Sequence, residues 1–376
     1  MTLPLRNIKI LDLSRVLAGP LATMILGDLG ADVIKIERPE LGDDTRGWGP
    51  PFDATGRSAY FLSVNRNKLS VAADLGDGAD LQWLHAMAAQ ADVVVDNFKR
   101  GTLERRGLDP EELLQNNPHL IWCTITGFGT ESDRLGYDFV VQAECGWMAI
   151  TGNAHSGPTK VGVALADVLA GKDAAIAILA ALAGRAGTTT AGTTAAHATA
   201  PGDRHLFVSL LHSATSALVN VAQNALVSGR EASRWGNAHP NLVPYELFEA
   251  LDRAIAIAVG NDAQFVACAH ALGLDALAVD GRYATNAGRV EHRDAVVGAI
   301  QERVRTQPAA EWLRALEAAG VPCGVVKSVL EALREVEASP LTGIAPLAPA
   351  TVRRPPPQLD EHGALVRARG WSAFSP

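Results

Sequence analysis

The pattern at the start of the chain constrains the fold more than any other feature. Residues 8–13 (IKILDL) and 32–37 (DVIKIE) are short apolar runs typical of buried strands, and a helical pattern lies between them over about 21–29. Gly30 stands where the C-terminus of a helix favours glycine. A strand–helix–strand unit of this length places its two strands parallel in one sheet. The opening residues therefore predict an α/β protein.

The same alternation continues beyond this unit. Helical patterns are predicted over 79–91 and 110–116, and strands over 92–96 (DVVVD) and 119–126 (HLIWCTIT). Strands that alternate with helices in this way favour one extended parallel sheet.

The chain is expected to form two domains, because 376 residues exceed what one simple core usually holds. Residues 185–202 are rich in Thr, Ala and Gly and predict a mobile surface loop. We expect a large domain over 1–203 and 325–376 and a smaller α+β domain over 204–324. The elements predicted after the loop are a short strand and helix to 228, two strands over 244–260 around a turn at Asp252, and helices over 262–272 and 291–319.

Composition argues against several classes of function. A net charge of −8 argues against a general nucleic-acid binder. No stretch of about 20 residues is apolar and free of charge, so no membrane span is expected. The histidines are scattered without metal-binding spacing, and no metal site is expected. The four separated cysteines and a start without a leader-like pattern lead us to expect a reducing cytoplasm.

A carboxylate, Asp167, interrupts one of the most apolar stretches of the chain, VGVALADVLAGKDAAIAILAALAG. Asp167 shares a helical face with the small residues Ala170, Gly171 and Ala174, which allow another backbone or a ligand to approach closely. Two interpretations stay open, an acid stabilised at a helix N-terminus or a desolvated nucleophile or base in a pocket. The neighbouring face is predicted to be an ordinary core stripe of Leu165, Val168, Leu169, Lys172, Ile176, Leu179 and Leu182.

Polar and aromatic residues follow the predicted strands where open α/β sheets bind ligands. The loop after the first strand (SRVLAGPLA) lacks GxGxxG, which argues against a nicotinamide or flavin enzyme. Arg38 follows the second strand and suits phosphate, although a lone arginine there also fits a surface ion pair. Asn97 and Phe98 follow the strand at 92–96, where Phe98 can stack a planar ring. Phosphates can be met by Arg100, Arg105 or Arg106. Together these residues predict a ligand with an aromatic base and phosphates, such as the coenzyme A nucleotide.

The chain resembles the family III coenzyme A transferases, the CaiB/BaiF-type fold, nearly end to end. The resemblance implies a large Rossmann-like α/β domain, a smaller α+β domain and an interlocked homodimer. The segments that carry it are ILDLSRVLAGPLATMILGDLGADVIKIERPELGDDTRGW (10–48), VVVDNFKRGTLERRG (93–107), GYDFVVQAECGWMAITG (136–152), VGVALADVLAG (161–171), RWGNAHPNLVPYELF (234–248) and AGVPCGVV (319–326).

The resemblance also implies the reaction, with the acid of the ADVLAG motif, Asp167, as nucleophile. The carboxylate attacks the thioester of a donor acyl-CoA and gives a mixed anhydride and CoA thiolate. The thiolate then attacks the aspartyl carbonyl, which leaves an aspartyl-CoA thioester and the free donor acid. The acceptor acid repeats these steps in reverse. Acyl-CoA and a free carboxylic acid are thus the expected substrates, without a tightly bound cofactor or metal.

The coenzyme A contacts of the family carry over to matching positions. One departure concerns Gly76, which stands where some members have a lysine for phosphate, so we expect Lys68 or Arg66 to compensate. The matching positions are Leu17, Ala18, Arg38, Ala73, Leu75, Asn97, Phe98, Arg105, Tyr137 and Asp138.

The segments 234–248 and 282–293 (RYATNAGRVEHR) resemble the branch that moves CoA between dicarboxylates, with succinyl-CoA as a common donor. A second substrate carboxylate needs a cationic or hydrogen-bonding partner. The candidates are Arg15, Arg46, His239 and Asn241.

Two alternative functions stay open on the sequence. The α-methylacyl-CoA racemases of the same fold read GHD where this chain reads GYD, and Tyr137 is a poor base near neutral pH. A non-catalytic CoA-binding protein would not need Asp167, and the intact acid argues against that function.

Overall fold

The computed structural model describes residues 3–190, 201–336, 338–339, 343–344 and 351–375. The chain divides into two compact units that interleave along the sequence. The large unit comprises Met1–Trp147, Lys160–Ser228 and Glu337–Pro376, and the small unit comprises Met148–Thr159 and Gly229–Val336.

The elements of the described residues follow the predicted alternation. The strands are β1 (Lys9–Asp12), β2 (Asp32–Glu37), β3 (Lys68–Ala72), β4 (Val93–Asp96), β5 (Ile121–Thr126), β6 (His205–Ser209), β7 (Tyr245–Glu249), β8 (Ala254–Ala258) and β9 (Cys323–Val325). The helices are α1 (Ala18–Asp28), α2 (Ala59–Ser63), α3 (Gly78–Ala88), α4 (Thr102–Arg105), α5 (Pro110–Asn116), α6 (Asp138–Glu144), α7 (Trp147–Ile150), α8 (Leu165–Thr190), α9 (Pro201–Arg204), α10 (Leu210–Ser216), α11 (Asn220–Ser228), α12 (Asp262–Ala271), α13 (Asp275–Val279), α14 (Asn286–Glu291), α15 (Arg293–Val304), α16 (Ala309–Ala318), α17 (Val329–Glu335) and α18 (Gly363–Arg369).

The large unit is built on a six-stranded parallel sheet with the order β3-β2-β1-β4-β5-β6. The predicted α/β fold and the opening strand–helix–strand unit are confirmed. The strand order reverses beside β1, which pairs with both β2 and β4. At this switch point the loops after β1 and β4 diverge and leave a crevice at the carboxyl edge of the sheet.

Apolar residues cover both faces of this sheet, as a fully buried parallel sheet requires. Successive residues of β1 point to opposite faces, so Ile10 packs in one core and Leu11 in the other. The first core includes residues of α1, α8 and α10, and the second includes residues of α3, α5 and α18. Both faces of the switch point are therefore supported by buried side chains.

The face of small residues on α8 packs against α1. A Cβ atom at Gly171 would lie 2.6 Å from the carbonyl oxygen of Ala18, so glycine is needed for this approach. Ala170 and Ala174 are fully buried in the same core. Part of the predicted core stripe is wrong, because Lys172 is exposed and Ile176 is 63% exposed. The sequence pattern identified the more apolar face, whereas the partner helix selects the face that allows the closest packing.

The loop predicted over 185–202 begins too early, because α8 continues to Thr190. The rest of the predicted loop, residues 191–200, lies outside the described residues. The predicted domain boundary at 204 also differs from the observed division, because β6 pairs with β5 in the large sheet. The large unit therefore extends to Ser228, and the small unit extends to Val336.

The small unit contains an antiparallel sheet with the order β7-β8-β9. The two strands predicted around Asp252 are confirmed. The helix predicted over 291–319 is instead divided into α15 and α16, with Pro308 at the N-cap of α16. Phe248 and Ile255 of the sheet pack with Trp312 of α16 in one apolar core. No helix in the described ranges is long and apolar enough to cross a bilayer.

Candidate active site

A cavity of about 710 Å³ opens in the large unit at the carboxyl ends of β1, β4 and β5. It lies at the switch point of the sheet, where ligands bind in folds of this topology. The cavity brings together most of the residues that the sequence predicts. Those that line it are Leu17, Ala18, Asn97, Phe98, Tyr137, Asp138 and Asp167.

A second cavity of about 180 Å³ is lined by the predicted residues Arg38, Ala73 and Leu75. Arg15 and Phe98 line both cavities, so the two adjoin there. The predicted contact Arg105 lines neither cavity, and its guanidinium donates to Thr102 Oγ1 at 3.3 Å. The sheet edge therefore carries one large and one small cavity with a shared wall.

Asp138 fixes the start of the helix that carries Asp167. Its Oδ1 accepts from the Ala166 N–H at 2.8 Å and from the Asp167 N–H at 3.4 Å. Gln142, one turn further along α6, donates to Asp138 Oδ2 at 2.7 Å. Asp138 thus satisfies N–H groups that a helix N-terminus leaves free, as a capping acid does. These N–H groups are consequently not available to a substrate.

A close backbone crossing places Tyr137 and Asp138 at the cavity. A Cβ atom at Gly136 would lie 2.0 Å from the Cα atom of Gly127, and one at Gly127 would lie 2.2 Å from Gly136 Cα. Only glycine at both positions lets the segment after β5 cross the segment before α6. Tyr137 is 59% exposed at the cavity, while Asp138 is half-buried.

Asp167 is a half-buried acid with an unusual protonation equilibrium. Burial, together with the nearby negative charge of Asp138, raises the pKa of Asp167 to about 7. Burial disfavours the charged form of a carboxyl group, and a second carboxylate adds repulsion. Asp167 stands in the first turn of α8 and also lines the larger cavity, so it occupies the place that each interpretation requires, and its role as a nucleophile or base stays a prediction. A carboxylate with a pKa near neutrality is a functional-site candidate.

The side chain of Asn97 holds the loop that follows β1. Its Oδ1 accepts from the Arg15 N–H at 2.9 Å, and its Nδ2 donates to the Arg15 carbonyl at 2.7 Å. The Arg15 guanidinium lies over the ring of Phe98, 5.1 Å from the centroid, which is within cation–π range. Asn97 therefore shapes the cavity wall, and Arg15 covers one face of Phe98.

A buried ion pair fixes the same loop from another strand. Lys35 Nζ lies 3.0 Å from Asp43 Oδ2 and donates to the Ser14 carbonyl at 2.9 Å. Asp43 also accepts from the Val16 N–H at 3.2 Å. Val16 has a φ of 73°, a left-handed conformation that persists in a β-branched residue only where its surroundings impose it. The sequence pattern does not reveal this pair, because a lysine inside a strand normally predicts an exposed position.

Tyr60 is a further residue that responds to the charges of the site. Burial and the negative charges of Asp167, Asp138 and Asp43 raise the pKa of Tyr60 to about 12. Its ring packs edge-on against Trp48 with a centroid distance of 5.0 Å. Tyr60 therefore stays a neutral phenol at physiological pH. An aromatic residue in a short helical segment carries no sequence signal for such a position.

The predicted substitutes for a lysine at position 76 are contradicted. Lys68 is buried and pairs with Asp12 at 2.9 Å, and Arg66 is buried and pairs with Asp28 at 2.6 Å. Neither lines either of the two cavities described above, and each neutralises a buried acid instead. Arg106 is the cation beside this position, since a Cβ atom at Gly76 would lie 3.1 Å from its guanidinium. Arg106 also lines the smaller cavity.

The four candidate partners for a substrate carboxylate differ in where they lie. Arg46 is committed to Glu37, with two hydrogen bonds of 2.7 Å, and lies over the ring of Phe61. His239 and Asn241 belong to the small unit. Arg15 is the candidate that lines the described cavities.

A parallel sheet with a ligand cavity at its switch point and a half-buried carboxylate at a helix start define an enzyme-like site of the doubly wound α/β class. Residues 5–360 match CoA-transferase family III. The succinate–glutarate CoA-transferase of Agrobacterium fabrum is 40% identical over 393 aligned positions, which cover 97% of this chain and 95% of that protein. The succinyl-CoA:glutarate CoA-transferase of Homo sapiens is 41% identical, with 88% of this chain and 74% of that protein covered.

Solved structures agree with this assignment. A crystal structure of a CaiB/BaiF family protein from Brucella suis matches with a TM-score of 0.84 and 39% identity, over 98% of this chain and 99% of that chain. This chain belongs to CoA-transferase family III and is a CoA-transferase. The resemblance seen in the sequence is thereby confirmed, and acyl-CoA is its substrate class.

Proposed function

We propose that this enzyme moves coenzyme A from succinyl-CoA to a dicarboxylic acid, with glutarate as the first candidate acceptor, and that Asp167 is its nucleophile. The observation that carries the proposal is the position of Asp167, a desolvated carboxylate at the start of α8 inside the larger cavity. The names of two relatives that share about 40% of their residues with this chain support the choice of acids.

The proposed reaction follows from the chemistry of a partly desolvated carboxylate. The ionised Asp167 attacks the thioester carbonyl of succinyl-CoA, and the C–S bond breaks to give a succinyl-aspartyl anhydride and CoA thiolate. The thiolate attacks the Asp167 acyl carbon, which releases succinate and leaves an aspartyl-CoA thioester. An acceptor carboxylate then reverses both steps. A partly buried nucleophile limits the access of water, which would hydrolyse either intermediate.

The raised pKa of Asp167 supports this role in two ways. A desolvated carboxylate loses less solvation when it attacks, because burial has already removed part of its hydration. The acid nevertheless ionises near neutrality, so a substantial fraction of the enzyme is reactive at physiological pH. The negative charge of Asp138 raises the pKa of Asp167 further, and the hydrogen bond that Asp138 accepts from the Ala166 N–H positions the start of α8.

Coenzyme A is proposed to span both cavities. Leu17, Ala18, Tyr137 and Asp138 are proposed to contact its thioester end in the larger cavity. Arg38, Ala73 and Leu75 in the smaller cavity, with Phe98 in the shared wall, are proposed to bind the nucleotide end. Arg106 replaces Arg105 as the second proposed phosphate ligand, since it lines the smaller cavity beside Gly76.

The decisive experiment is trapping of the covalent intermediate. The enzyme is incubated with succinyl-CoA and hydroxylamine, and the hydroxamate is mapped by mass spectrometry in the wild type, in Asp167→Asn and in the control Asp173→Asn. Asp173 lies on the same helix but lines neither cavity. We expect a hydroxamate at residue 167 in the wild type and the control only. If no adduct forms with any acyl-CoA donor, the proposed mechanism is wrong.

The same enzyme variants, incubated in deuterated water without hydroxylamine, test the racemase alternative. A racemase would incorporate solvent deuterium at the α-carbon of an acyl-CoA in the absence of any acceptor acid, whereas we expect no incorporation. Transfer to glutarate, followed as glutaryl-CoA by chromatography, identifies the acceptor. A panel of other dicarboxylates then ranks acceptors by kcat/KM.

An interlocked homodimer is also proposed for this chain. Large apolar side chains on two helices of the large unit are highly exposed in the single subunit, which supports a covering partner. These are Ile176 of α8 and Leu226 and Val227 of α11, which are 63%, 78% and 79% exposed. Light scattering coupled to size-exclusion chromatography gives the subunit number, and a monomer at micromolar concentration would contradict it. The cytoplasmic setting expected from the sequence stays a prediction.

A further inference from the structure

Two arginines where the cavities adjoin converge on one carboxylate. Arg15 donates through Nη1 to Asp44 Oδ2 at 3.3 Å, and Arg38 donates through Nη2 to Asp44 Oδ1 at 2.5 Å. Arg15 lines both cavities, Arg38 lines the smaller one and Asp44 lines the larger one. We call these three side chains the Asp44 bridge.

The Asp44 bridge is exposed enough for its partners to exchange. The side chains of Arg15, Arg38 and Asp44 are 34%, 47% and 42% exposed. Ion pairs at such exposure contribute little to folding. The local turn does not depend on Asp44, because the neighbouring Asp43 caps it by accepting from the Thr45 N–H at 3.0 Å. A purely structural role therefore explains little of this arrangement.

The geometry of the bridge is that of an anion site. Each guanidinium takes a different oxygen of one carboxylate, as paired arginines do with a bound oxyanion. The backbone of Arg15 is held independently by Asn97, and Arg38 Nε donates to the Gly42 carbonyl at 3.3 Å. Both arginines therefore keep hydrogen bonds that hold them in place when Asp44 no longer accepts from their guanidinium groups.

We propose that Asp44 is a specificity-determining residue that occupies the anion site of Arg15 and Arg38 until a phosphate group of coenzyme A displaces it. The inference rests on the proposed function, because it assigns this site to the coenzyme. A phosphate monoester carries up to two negative charges, whereas Asp44 carries one. A phosphate therefore competes well for the two arginines, and a singly charged carboxylate competes poorly. The bridge thereby discriminates between coenzyme esters and simple acids.

Removal of the charge on Asp44 is expected to strengthen coenzyme binding. In Asp44→Asn the arginines lose their internal anion, and the bound phosphate loses a nearby like charge. One unit charge about 4 Å away in water corresponds to roughly a fivefold change in affinity. We therefore expect the Kd of coenzyme A to fall about fivefold, and the difference to shrink as salt screens the charges.

The test is calorimetric titration of the full-length protein with coenzyme A and, separately, with glutarate. The control variant Glu311→Gln removes an acid of similar exposure that pairs with Arg314 and lines neither cavity. We expect tighter coenzyme A binding in Asp44→Asn alone. Equal or weaker binding would overturn the proposal, as would a gain for glutarate without a gain for coenzyme A. If the wild type binds no coenzyme A, the proposed function fails together with this inference.

A double-mutant cycle separates displacement from orientation of the arginines. If Asp44 competes with the phosphate, Arg38→Gln weakens coenzyme A binding more in the Asp44→Asn background than in the wild type, because the free Arg38 contributes fully there. If Asp44 merely orients Arg38, the loss is smaller in that background, and the proposal is wrong. Asp44→Glu keeps the negative charge and is expected to bind coenzyme A no more tightly than the wild type. This variant controls for effects of substituting residue 44 that do not depend on its charge.

Discussion

The half-buried carboxylate of Asp167 is expected to lower the stability of the fold that carries it. The pKa of Asp167 is raised from 3.8 to about 7, chiefly by burial. An acid whose pKa is higher in the folded state is ionised more readily in the unfolded chain, so stability is lost as the pH rises from about 4 to about 7. At 1.36 kcal/mol for each pKa unit, the whole loss is about 4 kcal/mol.

Replacement of Asp167 by asparagine should recover this free energy, because asparagine resembles the protonated acid in shape. The gain in the free energy of unfolding is then about 2 kcal/mol at pH 5 and about 4 kcal/mol at pH 8. Both are upper values, since part of the Asp167 side chain reaches water and solvent weakens the effect. The Asp167→Asn enzyme should thus be more stable than the wild type and inactive. The gain in its free energy of unfolding measures how much the ionisable Asp167 destabilises the fold.

Urea unfolding of the ligand-free protein at pH 5 and pH 8 measures this difference. Each transition is followed by two spectroscopic probes, because two units do not necessarily unfold as one. Asp173→Asn on the same helix controls for the loss of one acid from α8. A gain that is the same at both pH values, or a loss of stability at pH 8, would refute the electrostatic reasoning.

Three further predictions concern the catalytic pH range, the loop and the helix packing. The kcat/KM of the wild type should rise with pH and level off above about 7, as the reactive form of Asp167 accumulates, and a profile flat from pH 5 to 8 would argue against Asp167 as nucleophile. Asp43→Asn leaves the buried Lys35 without its partner and should cost about 3–5 kcal/mol of unfolding free energy, measured by urea titration. Gly171→Ala should lower the thermal midpoint by pushing α8 from the Ala18 carbonyl, at a cost of about 1–3 kcal/mol. Gly184→Ala on the same helix should be neutral or stabilising, because no atom of the described residues lies within 4 Å of the added Cβ.

The elements of the large unit were predictable because their signals are local. The apolar runs of β1 and β2 and the helical pattern between them predict a parallel pair, and the structure pairs Ile10 with Val33 in register. The edge position of β6 was not predictable, because a short strand after a long connection gives no indication of its partner. For that reason the large unit extends to Ser228, beyond the predicted domain boundary at 204.

In the candidate site, too, residues with a local sequence signal were predictable and residues whose role depends on distant partners were not. Asp167 attracts attention because a carboxylate in an apolar run is unusual, and the structure places it in the larger cavity. Lys68 and Arg66 look like free cations in the sequence, but each neutralises a buried acid that is distant along the chain. Lys35 and Asp43 were not recognised for the same reason, since burial and pairing are properties of the folded chain rather than of the local pattern.

The end of the described chain determines when the large unit can finish folding. Val366 and Trp371 pack in the core on one face of the sheet, and Asn67 Oδ1 accepts from the N–H groups of Arg353 and Arg354. Asn67 and Arg353 lie 286 residues apart in the sequence, and the small unit is synthesised between them. During synthesis on the ribosome, α3 and α5 emerge early and cover part of this face, but the part that Val366 and Trp371 cover stays exposed until α18 emerges. The strands of the small unit have all been synthesised before that point. A chaperone that shields this part of the face is most needed late in synthesis, and a chain that stops before residue 351 leaves that part permanently exposed.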